Sequence, residues 1–198
     1  MSAQFPRMRF GMFSLAEFAS IADMPVENIR VWRSRGHIGG GGGRGAKYPA
    51  SEVAEAMFRY DLSRYGIPPS ESVDIGYDCA GRILRYIMFN HADCCEVRGP
   101  ADAVEHLREV HQNSDALTRL YYGAGTGDEL LVRLNGGELE FMPSEGEDLH
   151  LRAYRSALVF NLQGYAAQLA KSSDKPIMTF QFECREGEPE VRASLADK

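Results

Sequence analysis

Residues 13–66 decide the fold of the first third of the chain and read FSLAEFASIADMPVENIRVWRSRGHIGGGGGRGAKYPASEVAEAMFRYDLSRYG. Ser14 is placed to cap a first helix, and Glu17 three residues later completes a capping box. The following Asp-Met-Pro breaks that helix, and its proline suits the first turn of a second helix, which we predict over Pro25–Arg35. A run of glycines separates this helix from a third, predicted over Ser51–Arg64.

The second predicted helix and the glycine loop carry the basic residues of this segment. Ile29 faces the core at helical spacing, whereas Arg30 and Arg33 face outward. Outward Asn and Arg side chains have the donor geometry for base edges and phosphates. We expect the glycine run, Gly39–Gly43, to form the tip of a wing between two short strands. Helix, turn, helix and wing in this order predict a winged helix-turn-helix that binds DNA. The predicted DNA contacts are Asn28, Arg30, Arg33, Arg35, Arg44, Lys47 and Tyr48.

The order and spacing of these residues resemble the MerR family of transcription regulators. The stretches that match are Leu15–Ala19, Ile29–Ile38, Lys47–Tyr48, Glu52–Val53 and Leu62–Ile67. The chain departs from the family pattern at Asp23, where a turn glycine is usual, and at Val31, where an aromatic residue is usual. The resemblance implies a homodimer on double-stranded DNA that distorts a promoter and so acts on RNA polymerase. Excisionase-like proteins share much of the same motif.

The charge distribution agrees with an N-terminal DNA-binding domain followed by a part of the chain that does not contact DNA. The chain has a net charge of −6. Residues 1–65, however, hold nine Lys and Arg against six Asp and Glu, whereas residues 66–198 hold thirteen against twenty-two. Only the part that meets phosphates needs a positive balance.

Composition and length indicate a folded cytoplasmic protein. The 198 residues can bury one good core and a second, small one. We expect neither a signal peptide nor a membrane span, and we expect the protein in the cytoplasm, associated with the nucleoid. Three domains are predicted: the DNA-binding domain at 1–69, a linker and dimerisation helix at 70–99, and an α+β sensing or assembly domain at 100–198.

The helix predicted over Ser70–Asn90, with Ser70 as its cap, has two interpretations. Its apolar residues are spaced alternately four and three residues apart, which is the heptad spacing of a coiled-coil seam. The seam residues, and so the predicted dimer contacts, are Val73, Tyr77, Leu84 and Ile87. The seam is barely two heptads long and is interrupted by glycines. A helix that faces the protein's own core is equally compatible with the pattern.

The C-terminal part predicts an α+β fold, a small antiparallel sheet crossed by one or two helices. Helices are expected over Ala101–Gln112 and Leu149–Lys171, and a hairpin over Leu130–Leu134 and Leu139–Met142. A strand is expected over Ile177–Cys184, with Met178, Phe180, Phe182 and Cys184 on one face, then a turn and a short last strand. The final residues, Ser194–Lys198, are predicted to fray.

The sequence contains no nucleophile elbow, zinc-protease motif or dinucleotide fingerprint, so we predict a protein that is not an enzyme and holds no cofactor. Cys79, His91, Cys94 and Cys95 are the one set that suggests metal chemistry. Adjacent cysteines do not match the spaced pairs of a structural zinc site, so buried thiols are the favoured interpretation. Binding of a metal or of a small-molecule effector remains an open alternative.

These observations favour a homodimeric DNA-binding transcription regulator. Two other functions remain open: an excisionase-like accessory protein that bends DNA for recombination or packaging, and a winged-helix factor that binds protein instead of nucleic acid. The operator sequence and the sign of regulation do not follow from the sequence.

Overall fold

The computed structural model describes residues 5–39, 45–112, 129–134, 137–143 and 155–196, and within them the chain has a mixed α+β fold. The helices are α1 (Leu15–Ile21), α2 (Val26–Ser34), α3 (Ala50–Arg64), α4 (Val73–Asn90), α5 (Ala101–Gln112) and α6 (Leu162–Lys171). The strands are β1 (Arg7–Phe10), β2 (Met12–Ser14), β3 (Lys47–Pro49), β4 (Cys95–Gly99), β5 (Glu129–Leu134), β6 (Leu139–Pro143), β7 (Ala157–Asn161), β8 (Met178–Gln181) and β9 (Val191–Ser194). The predicted α+β class is confirmed.

Local signals position the first three helices as predicted to within a residue or two. The Ser14 hydroxyl accepts from the Glu17 N–H at 3.3 Å, and the Glu17 carboxylate accepts from the Ser14 N–H, which confirms the capping box. The break after α1 is made by Asp23, whose φ of 47° lies in the left-handed region that favours glycine. Helix α2 follows Pro25 directly, and α3 follows Pro49.

The main sheet has four strands in the order β1-β8-β4-β9 and is mixed rather than antiparallel. Strand β8 pairs antiparallel with β1 and parallel with β4, and β4 pairs antiparallel with β9. A separate antiparallel sheet has the order β6-β5-β7. A small antiparallel sheet within residues 100–198 is thus present, but β8 and β9, which were predicted to belong to it, join β1 and β4 in the mixed main sheet instead.

Helix α4 begins at Val73, so the predicted start at Ser70 and its cap are corrected. Its residues Leu84 and Ile87 are buried in the protein's own core together with Cys79 and Ile83. These two side chains are thus not available to a second copy, and their assignment to a dimer seam is corrected; the alternative of a core-facing helix describes this part of α4. Val73 and Tyr77 have relative exposures of 46% and 71%.

The prediction of one long helix over Leu149–Lys171 is wrong for residues 157–161. Residues 157–161 form strand β7, which pairs antiparallel with β5, and its side chains alternate, with Phe160 buried and Val159 exposed. Helix α6 begins after Asn161, whose side-chain oxygen accepts from the N–H groups of Gln163 and Gly164. Residues 149–154 lie outside the described part.

The helix over Ala101–Gln112, the paired hairpin strands and the last short strand are as predicted, with the hairpin's residues 135 and 136 outside the described part. Strand β8 ends at Gln181. Met178, Phe180 and Phe182 are buried, but Cys184 is exposed, which corrects its place on the buried face. Ser194 belongs to β9 and Leu195 is buried, so the predicted fraying of Ser194–Lys198 begins too early.

The buried cluster continues across the predicted domain boundaries. Phe58 on α3 packs edge-on against Phe160 and Tyr165, with ring centroids 5.4 and 5.9 Å apart. Helices α3, α4 and α6 therefore share one hydrophobic core. Among the residues described, none of the helices combines the length and the apolar character that crossing a bilayer requires.

Candidate nucleic-acid interface

Helix α2 has a buried side and a basic side. Ile29 and Trp32 are buried, and Trp32 packs edge-on against Tyr60 with ring centroids 6.1 Å apart. The helix ends at Ser34, and Gly36 beyond it has a φ of 74°, so that the His37 N–H donates to the Trp32 carbonyl in a Schellman arrangement. With Ile29 and Trp32 packed in the core, Arg30 is exposed, but Arg33, four residues after Ile29, is half-buried, which corrects its predicted outward position.

Arg33 is held in place by a buried tyrosine. Its Nη1 donates to the Tyr48 hydroxyl at 3.1 Å. Tyr48 is 0% exposed and packs edge-on against Phe18 at 5.0 Å between ring centroids. The prediction that Tyr48 contacts DNA is therefore corrected, because its ring belongs to the core and its hydroxyl positions Arg33.

The other predicted contacts have different surroundings. Arg30 is exposed and pairs with Glu27, with 2.6 Å between Nη1 and Oε1. Asn28 is half-buried, and its amide donates to the Tyr60 hydroxyl at 3.3 Å. Arg35 and Lys47 are exposed. Arg44 lies outside the described residues.

Of the two strands predicted to flank the glycine run, the second is confirmed and the first is not. Strand β3 follows the run, but residues 35–39 before it form turns and bends instead of a strand. The partner of β3 is β2, which precedes α1, and this pairing places Phe13 opposite Tyr48, both buried. The buried aromatic pair explains why β3 pairs with β2. Residues 40–44 of the loop lie outside the described part.

Residues from the last quarter of the chain hold helix α1, and no local sequence signal indicates this connection. Lys175 Nζ lies 2.6 Å from Glu17 Oε1 and 4.7 Å from the centre of the Phe13 ring. The Gln168 side chain donates to the Ile21 carbonyl at 2.8 Å. Both ends of α1 are thus fixed to the segment that carries α6 and β8.

The ion pair between Glu17 and Lys175 makes stability depend on pH in acid. Hydrogen bonds from Lys175 and then Ser14 lower the pKa of Glu17 from 4.5 to about 2. A lowered folded-state pKa stabilises the fold above pH 4.5 and loses that effect as the pH falls towards about 2. We expect Glu17→Gln to have a lower free energy of unfolding than the unmodified protein at neutral pH. The two free energies should converge as the pH falls from about 4.5 to about 2. Urea titrations at several pH values measure this.

Lys175→Met should lose a large part of this pH dependence but not all of it, because Lys175 contributes most to lowering the pKa of Glu17 and the bonds with Ser14 remain. Parallel stability curves for the unmodified protein and Glu17→Gln from neutral pH down to about 2 would contradict this account.

A buried arginine joins α2, α3 and the start of α4. Arg59 is 2% exposed and pairs with Glu55. Its Nη1 also donates to the His37 carbonyl at 2.9 Å, and its Nη2 donates to the Pro69 carbonyl at 2.7 Å. No sequence signal distinguishes Arg59, because a basic residue on a predicted helix is ordinarily exposed to solvent. Its contacts fix the segment that follows α2 relative to α3.

The cysteine and histidine candidates for a metal site do not come together. Cys79 and Cys95 are buried, and Cys94 contacts the Ala170 carbonyl through its sulfur at 3.7 Å. Burial raises the pKa of Cys79 to about 12 and also raises that of Cys95, which disfavours the thiolate that binds metal. Across the part of the chain that the structure describes, no three His, Cys, Asp or Glu side chains are grouped as metal ligands.

Comparison with known protein families finds no family model that matches the chain, and no curated protein is significantly similar to it.

Proposed function

We propose that the protein is a sequence-specific double-stranded DNA-binding regulator of MerR-like type, in which α1, α2, α3 and the β2–β3 pair form a winged helix-turn-helix. One observation carries the proposal: the surface around the C-terminal half of α2 is basic, with Arg30 and Arg35 exposed and Arg33 half-buried beside them. Helix α2 would enter the major groove, and the residues around the glycine run would contact the flanking backbone. As a regulator it would act on a promoter together with RNA polymerase in the cytoplasm.

The bonds of the basic residues suit this role. An exposed pair such as Arg30–Glu27 contributes at most about 1 kcal/mol, so Arg30 can exchange its carboxylate for a phosphate at little cost. The Tyr48 hydroxyl restricts Arg33 before binding, which lowers the entropy lost when the arginine meets a base or phosphate. Arg35 and Lys47 add exposed charge beside the same helix and strand.

Selection of binding sites from a pool of random duplexes tests the function. Recovery of one sequence motif supports a regulator that reads bases. Recovery of unrelated sequences with bending of the duplex would favour the excisionase-like alternative. Failure to retain any duplex would contradict both and leave a protein-binding winged helix.

We also propose that the protein binds DNA as a homodimer, because one helix-turn-helix contacts too little DNA for a specific site. Val73 and Tyr77 are the seam residues that remain exposed. Val73→Asp should therefore give a folded monomer in sedimentation, since an acidic residue at the first position of α4 suits the helix dipole but adds charge to the contact.

Val159→Asp is the matched control, because Val159 is also a partly exposed valine, 39% accessible, but lies on β7. We expect this variant to keep the oligomeric state of the unmodified protein. An unmodified protein that sediments as a monomer at micromolar concentration would refute the dimer.

A further inference from the structure

A cleft of about 550 Å³ lies between the first half of α3 and the middle of α4, and none of its lining residues belongs to α2. Phe10 at the end of β1 and the exposed Tyr77 on α4 line it with apolar surface, to which the small exposed parts of Ala80 and Leu84 add. A cleft of this size is within the range that small-molecule sites occupy.

Charges of opposite sign are separated along the cleft. Helices α3 and α4 are in contact where Gly76 packs against Arg59 and Glu55. Beyond this contact, later residues of α4 and the first residues of α3 line the cleft from its two sides. Glu52 and Asp78 provide carboxylates from the two walls. Arg82 and Arg85 follow Asp78 by about one and two helical turns, which places them roughly 6 and 10 Å further along the axis of α4.

The surroundings of Arg82 and Glu52 suit the binding of a charged ligand. The guanidinium of Arg82 stacks on the Phe141 ring, 3.7 Å from its centre, and its five N–H donors allow it to bind a ligand besides its contacts within the chain. Burial raises the pKa of Glu52, and the Gly39 N–H donating to it offsets this only in part. A cation beside Glu52 would stabilise its charged form.

We infer that this cleft is a binding site for a small zwitterion that carries an ammonium and a carboxylate at the two ends of a short apolar chain. The ammonium would lie between Glu52 and Asp78, the apolar chain over Ala80 and Leu84, and the carboxylate at Arg82. A ligand with a single charge would bind more weakly, because one set of charged side chains would then lose solvent without gaining a partner. The site is defined without reference to DNA, so its test needs only the protein.

Titration with 6-aminohexanoate, monitored by calorimetry or NMR, tests this inference. We expect an affinity of about millimolar, which is typical of a fragment with so few atoms. Hexylamine and hexanoate, which each lack one of the charges, should bind at least about tenfold more weakly.

Variants locate the site. Asp78→Asn and Glu52→Gln should each weaken 6-aminohexanoate by roughly fivefold or more. Asp74→Asn is the matched control, since Asp74 is an exposed aspartate one turn earlier on α4 that does not line the cleft, and it should bind as the unmodified protein does. Equal affinity for hexylamine and the zwitterion, unchanged binding by both site variants, or no binding of 6-aminohexanoate at roughly tens of millimolar would overturn the inference.

Discussion

Replacing Arg30 and Arg33 together with alanine should lower the affinity for the selected duplex about 100-fold, and each single replacement should lower it about tenfold. A lost base or phosphate contact costs on the order of 1–3 kcal/mol, and the two residues lie on one helix without contacting each other in the free protein. Both variants should still fold: Arg30 is exposed, and removing Arg33 deprives the buried Tyr48 hydroxyl of one hydrogen bond, which should lower the free energy of unfolding by about 1–3 kcal/mol. Fluorescence anisotropy with the duplex measures the change.

Arg64→Ala is the matched control. Arg64 is an exposed arginine on α3 that pairs with Asp61 three residues away, as Arg30 pairs with Glu27, so it has the same chemistry outside α2. Tyr48→Phe removes the hydroxyl that holds Arg33 and keeps the buried ring, so it should weaken binding by a smaller factor than Arg33→Ala. If the double variant binds as tightly as Arg64→Ala, α2 does not contact DNA.

Two glycines of α4 should respond to alanine in opposite directions. A Cβ on Gly76 would lie 2.5 Å from Cδ and 2.6 Å from Cγ of Arg59, and hydrogen bonds to the His37 and Pro69 carbonyls prevent that side chain from moving away. We expect Gly76→Ala to lower the free energy of unfolding by about 1–3 kcal/mol, as overpacking does. A Cβ on Gly81 meets nothing within 4 Å, so Gly81→Ala should raise it by about 0.5–1 kcal/mol through helix propensity.

Thermal unfolding of the two variants measures the difference, and each 1 kcal/mol should shift the midpoint by about 2–4 °C in a chain of this size. Gly81→Ala serves as the control for Gly76→Ala, because both substitutions are made in the same helix. Stabilisation by both would mean that Arg59 is free to move and does not lock α3 to α4.

The features that were predictable from the sequence are set by neighbouring residues. Ser14 and Glu17 form their capping box within four residues, Pro25 starts α2, and the apolar spacing of α5 is contained in the helix itself. The exposed position of Arg30 follows from helical spacing as well. These are the elements for which structure and prediction agree.

The errors fall where distant segments decide the structure. β7 was predicted to be helical because Leu158 and Leu162 fit a helical pattern, but pairing with β5 and the cap at Asn161 divide that segment. Leu84 and Ile87 fit a dimer seam, yet α3 and α6 cover this helix in the same chain. Tyr48 bonds to Arg33 15 residues away, Arg59 to His37 22 residues away and Lys175 to Glu17 158 residues away, and no local sequence pattern indicates these contacts.

The dependence of DNA affinity on salt tests the central claim most directly. Contacts from Arg30, Arg33, Arg35 and Lys47 to phosphates would release counterions, so the logarithm of the association constant should fall with the logarithm of salt concentration. We predict a slope of about −3 or steeper for the unmodified protein with its selected duplex, and a slope about one or two units shallower for the Arg30→Ala, Arg33→Ala double variant. A slope near zero, or the same slope for both proteins, would contradict the proposal that this face of α2 binds DNA.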